Sequence, residues 1–126
     1  MRPCNRVLVA EDDPAMLRLT CRILETAGYE VVGASCGADA LRLATSPDRA
    51  IDLLLADVIM PGMSGTELAH RLWRSRPDSR VLFMSGYADD VLAHHGLGAH
   101  AAGVLQKPFT MEQLIAAVRR VIEGNA

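Results

Sequence analysis

The sequence predicts an open, doubly wound parallel α/β sheet. Short apolar runs that read as strands buried on both faces, Val7–Ala10 and Ile51–Ala56 the clearest, alternate with segments of helical period. Those helical segments also open on recognisable caps, so that strand and helix follow one another along the whole chain.

Val7–Ala10 ends abruptly in Glu11, Asp12 and Asp13. Asp13 and Pro14 suit an N-cap and first helical position, and Met16, Thr20, Ile23, Leu24 and Ala27 recur at helical spacing until Gly28. Tyr29–Ala34 reads as the second strand and Gly37–Thr45 as the second helix, running into Ser46 and Pro47. The third strand, Ile51–Ala56, delivers Asp57 to its end, and Pro61 and Gly62 turn the chain. Ser64 to Glu67 then has the form of a capping box that opens a helix through Leu68, Leu72 and Trp73.

Arg80–Met84 is the fourth strand, and Asp89–His95 reads as a short helix ended by Gly96 and Gly98. Gly103–Gln106 is the fifth strand. After Lys107, Pro108 and Phe109, Thr110 and Gln113 form a second capping box for a last helix with an apolar face of Leu114, Ile115, Val118, Val121 and Ile122, stopping at Gly124.

With 126 residues, the chain has the length of one domain, spanning residues 1–126, and can bury roughly two-thirds of its unfolded surface. Half the residues are hydrophobic, 22% are charged and the net charge is -2. This is the balance of a globule with no general affinity for nucleic acid. Cys4, Cys21 and Cys36 have neither zinc spacing nor an even count, which favours a reducing cytoplasm. No apolar run approaches the roughly 20 residues of a membrane span, so no membrane contact is expected.

Ligands of doubly wound sheets bind beyond the carboxyl ends of the strands. Those ends carry Glu11, Asp12 and Asp13, then Asp57, then Ser85, then Lys107. Crowded carboxylates repel unless a divalent cation joins them, and Mg²⁺ suits a few carboxylates completed by water and phosphate oxygens. Lys107 adds a mobile positive charge and Ser85 a donor. The set fits phosphoryl transfer with Asp57 as nucleophile.

Four motifs then resemble one family: Val9–Asp13, Asp57–Gly65, Phe83–Gly86 and Lys107–Phe109, in order at the expected strand ends. The chain looks like a response-regulator receiver domain, the phosphoacceptor of bacterial two-component signalling. The resemblance implies a three-layer flavodoxin-like fold with strand order 2-1-3-4-5, and phosphorylation of Asp57 from the phosphohistidine of a histidine kinase or phosphotransfer protein. It implies Mg²⁺ held directly by Asp12, by Asp57 and by the backbone carbonyl of Ile59, with Glu11 acting through water. It also implies that Lys107 contacts the phosphoryl group, that Ser85 swings toward it, and that the Lys107–Pro108 bond is open to a cis form. Its output is a surface of the fourth helix, fifth strand and last helix that meets a downstream protein target or output domain, and a weak homodimer is compatible with it. Val81–Tyr87 and Leu105–Thr110 are similar to receivers attached to hybrid histidine kinases.

Such receivers usually carry an aromatic residue three positions before the lysine, where this chain has Val104. Switching through that position is therefore not expected to follow the family pattern, and Tyr87 is the candidate to take part of the role. Bland readings cover the remaining polar residues. Asp13 is an N-cap rather than a ligand; His94, His95 and His100 are loop residues without metal spacing; Cys21 and Cys36 are small apolar fillers; Arg71, Arg74, Arg76 and Arg80 form a solvated face.

Two rivals to a phosphoacceptor switch remain at this level. An aspartyl-nucleophile phosphatase uses similar parts but wants a second acid two residues after the nucleophile, where Ile59 stands. A phosphorylation-independent pseudo-receiver is supported by Val104 and opposed by the full set of acids, Ser85 and Lys107.

Overall fold

A computed structural model describes residues 5–48, 50–86 and 102–124. The elements are β1 (Arg6–Ala10), α1 (Pro14–Thr26), β2 (Glu30–Ala34), α2 (Gly37–Ala44), β3 (Leu53–Asp57), α3 (Gly65–Ser75), β4 (Val81–Ser85), β5 (Gly103–Gln106) and α4 (Met111–Glu123). All strands pair in parallel in the order β2-β1-β3-β4-β5. Chain reversal about β1 opens a crevice between β1 and β3 at their carboxyl ends. The expected short helix at Asp89–His95, the three histidines, Cys4 and Tyr87 lie outside the described residues.

Each central strand buries both faces, so its alternate residues enter two cores. Leu8, Ala10, Leu54, Ala56, Val81 and Phe83 pack with Ala40 and Ala44 of α2 and Leu68, Ala69 and Leu72 of α3. Val7, Val9, Leu53, Leu55, Leu82 and Met84 pack with Leu24 of α1 and Leu114 and Val118 of α4. The sheet thus forms the middle of three layers. Burial of these side chains is the main favourable term, at roughly 25 cal/mol per Å² of apolar surface.

Helix starts follow the sequence closely. The Asp13 carboxylate accepts from Ala15 N at 3.0 Å and Met16 N at 3.3 Å, with Pro14 just inside. Thr110 Oγ1 accepts from Gln113 N at 3.1 Å while Gln113 Oε1 accepts from Thr110 N at 2.8 Å, a complete capping box. At α3 the box is half made. Ser64 Oγ accepts from Glu67 N at 3.1 Å, but the Glu67 carboxylate turns outward to Arg71 at 2.7 Å. An ion pair one turn ahead has taken the side chain that the box needed.

The arginines do more than coat a solvated face. Arg76 donates to the carbonyls of Thr45 and Ser46, both at 3.2 Å, just beyond α2. Arg80 donates to the Val121 and Ile122 carbonyls of α4 at 2.7 and 2.9 Å. Both place a cation on carbonyls that a helix end leaves without partners. β3 also differs from its expected bounds, beginning at Leu53 and including Asp57 as its last residue.

Loss of the α4 cap has a defined cost. Thr110→Ala is expected to lower unfolding free energy by about 1 kcal/mol in urea denaturation followed by circular dichroism; an unchanged midpoint would remove the cap from the account of α4.

Candidate functional site

The carboxyl ends of β1, β3, β4 and β5 carry the polar residues that the sequence singles out. Glu11 and Asp12 follow β1, Asp57 ends β3, Ser85 ends β4, and Lys107 follows β5. Register brings the neighbours level: Ala10 pairs with Ala56, Asp57 with Met84, and Ser85 with Gln106. The Lys107 N–H donates to the Ser85 carbonyl at 2.8 Å, which anchors the lysine backbone beside the β4 end. The Lys107–Pro108 peptide is cis.

Oxygens of Glu11, Asp12 and Asp57 lie within 4.8 Å of one another. Lys107 Nζ donates to Glu11 Oε1 at 2.8 Å and to Asp57 Oδ2 at 2.9 Å. The second Asp57 oxygen, Oδ1, accepts from Ile59 N at 3.2 Å. Both oxygens of this carboxylate therefore accept hydrogen bonds, one from an ammonium and one from a backbone amide, and its side chain keeps only 12% exposure. Asp12 is exposed and Glu11 is buried.

Electrostatics follow from that unequal burial. Desolvation pushes the Glu11 carboxyl up to about 7, the adjacent Asp57 adds to the rise, and Lys107 opposes it. For Lys107, burial alone would lower the pKa, but hydrogen bonds and charge from Glu11 and Asp57 outweigh it and hold the ammonium above its ordinary value. Among the described residues Glu11 Oε2 is buried without a hydrogen-bond partner. An oxygen-only donor set with an unsatisfied buried oxygen fits a hard divalent cation better than a soft metal.

Ser85 and Ile59 complete the rim in different ways. Ser85, the last residue of β4, is 2% exposed. The side chain of Ile59 is 65% exposed, an apolar group at the position where a phosphatase of the aspartyl class would need an acid. Val104 pairs with Phe83 and is partly buried against the α2 and α3 core.

Two glycines shape the site in ways the sequence pattern did not reveal. A Cβ on Gly65 would fall into the Asp57 carbonyl oxygen. The first residue of α3 can lie against the end of β3 only because it lacks a side chain, and its N–H then donates to the Val58 carbonyl at 2.8 Å. A Cβ on Gly37 would come within 2.8 Å of Met63 Cβ. No local signal distinguishes these glycines from turn residues, because their neighbours are distant in sequence.

The chain belongs to the response regulator receiver domain family, whose model matches residues 7–119. Receiver domains serve two-component signalling and bind Mg²⁺ through acidic residues. The response regulator receiver protein CpdR of Brucella abortus (strain 2308) is 38% identical over 119 residues, covering 94% of this chain and 97% of that protein. The sensor kinase CckA of the same strain is 35% identical over 117 residues, covering 93% of this chain but only 12% of that protein. A response regulator receiver domain protein from Clostridium thermocellum superposes with a TM-score of 0.86 at 28% identity, covering 95% of each chain. These likenesses bear out both the fold and the family resemblance.

The Glu11 shift sets a pH dependence in metal-free protein. Its folded pKa, about 7, lies above the ordinary 4.5, so the folded state holds the proton that the unfolded state has already lost. Stability therefore falls as pH rises from about 4.5 to about 7 and levels above that. Glu11→Gln is expected to flatten this part of the profile relative to wild type in denaturant titrations, whereas parallel profiles would contradict the assignment.

Proposed function

We propose that this domain is a Mg²⁺-dependent phosphoacceptor in which Asp57 takes a phosphoryl group from a phosphohistidine on a histidine kinase or phosphotransfer protein. The observation that carries this reading is the Lys107 ammonium lying 2.8 Å from Glu11 and 2.9 Å from Asp57, on a rim that also holds Asp12. One cation already bridges the acids, and a second anionic group beside Asp57 needs that cation together with a divalent one.

Asp12, Asp57 and the backbone carbonyl of Ile59 would hold the metal, with Glu11 acting through water. When bound, Mg²⁺ would supply neutralising charge to the phosphoryl oxygens. A carboxylate oxygen of Asp57 forms the new bond to phosphorus as the bond from phosphorus to the imidazole nitrogen breaks, and the electron pair returns to that nitrogen. Lys107 follows the charge onto the transferred oxygens, and Ser85 donates to one of them. The chemistry is alignment and charge neutralisation, so the domain assists its own modification and turns over no external substrate.

The phosphorylated form would alter a surface next to β5 and α4 that meets a downstream protein target or output domain. With Val104 rather than an aromatic residue beside Phe83, less side-chain volume is available to report the change there. Near end-to-end likeness to CpdR supports a stand-alone regulator, and likeness to a small part of CckA supports a receiver joined to a kinase. The free thiols of Cys21 and Cys36 suit a cytoplasmic setting. Among the described residues no helix is long and apolar enough to cross a membrane.

Incubation with Mg²⁺ and acetyl phosphate should add one phosphoryl group by mass spectrometry, and Asp57→Ala or chelation of the metal should abolish it. Undiminished labelling of Asp57→Ala would place the acceptor elsewhere.

A further inference from the structure

We infer that Gly37, at the start of α2, is a positioning residue for the Asp57 site and acts through Met63. The inference rests on the phosphoacceptor reading for its consequence, though not for its geometry.

The loop from Val58 to Ser64 joins the end of β3 to α3 and carries Ile59, whose N–H holds Asp57 Oδ1 at 3.2 Å. It is fixed at its base by the Gly65 N–H on the Val58 carbonyl at 2.8 Å, and Met60 is buried in the core. Between them Gly62 turns the chain with φ +81, and the half-buried Met63 side chain packs against the core on the α2 side. Met63 lies flat on Gly37. A Cβ there would meet Met63 Cβ at 2.8 Å and its Cγ and Sδ at 3.0 Å.

The nearest of these atoms decides the outcome. Cβ is attached directly to the backbone, so no change of rotamer at Met63 can clear it, and the Met63 backbone itself has to move. That movement is passed to Ile59 and so to the atoms that hold Asp57. Gly37 opens α2 and has no positive φ, so on helix propensity alone Gly37→Ala should be neutral or stabilising. Any loss therefore reports the contact.

A double-mutant cycle with Gly37→Ala and Met63→Gly tests this, because removing the Met63 Cβ removes the collision. In proton–nitrogen correlation spectra of metal-free protein, Gly37→Ala should shift the amide signals of Asp57, Val58 and Ile59 in wild-type background and leave them unchanged in the Met63→Gly background. Mg²⁺ affinity should fall roughly tenfold with Gly37→Ala alone, as for other residues that orient a metal ligand, and not fall further in the Met63→Gly background. Wild-type-like amide positions in folded Gly37→Ala, or equal shifts in both backgrounds, would overturn the inference. The amide readout requires neither metal nor phosphodonor, so it can fail independently of the phosphoacceptor reading, which fails instead if wild-type protein takes no label from acetyl phosphate.

Discussion

Three carboxylates and one ammonium at the end of a buried sheet set the constraint on which the rest of this site depends. Lys107 bridges Glu11 and Asp57, yet a single ammonium cannot neutralise both while Asp12 stands at the rim. Burial, with a smaller push from the adjacent Asp57, raises the Glu11 carboxyl to about 7, and among the described residues its Oε2 is buried without a hydrogen-bond partner. At neutral pH the site is therefore short of positive charge. On the proposed reading, a divalent cation would supply that charge and, with Lys107, would prepare the rim for an incoming dianionic phosphoryl group.

The fold meets this constraint by making the surroundings rigid. Asp57 sits inside the hydrogen-bonded end of β3, between the β1 and β4 strands, rather than on a loose turn. Lys107 is tied through its backbone to Ser85, and Gly65 brings α3 against the Asp57 carbonyl. If Asp57 is the nucleophile, as proposed, a carboxylate held in this way would need little reorganisation when phosphorus arrives, which is where positional precision contributes most to rate.

Much of this was legible in the sequence because the signals were local. Strand alternation, the Asp13 cap and the Thr110–Gln113 box each require only neighbouring residues, and the order of strand-end residues Glu11, Asp12, Asp57, Ser85 and Lys107 pointed to one rim. What escaped was tertiary. The Glu67 side chain pairs with Arg71 instead of closing its box, Arg76 and Arg80 reach across to helix ends, and Gly37 and Gly65 owe their importance to Met63 and Asp57, which pattern alone cannot place beside them. The strand bounds at Asp57 also depended on pairing with Met84 rather than on residue type.

The most direct measurement is chemical identification of the modified side chain after transfer from a phosphohistidine-bearing kinase in Mg²⁺. Borohydride reduction converts an acyl phosphate on aspartate into homoserine, which peptide mapping locates. Homoserine is expected at position 57 and nowhere else. Homoserine at Asp12 or Asp13, or phosphorylated protein that yields none, would contradict it.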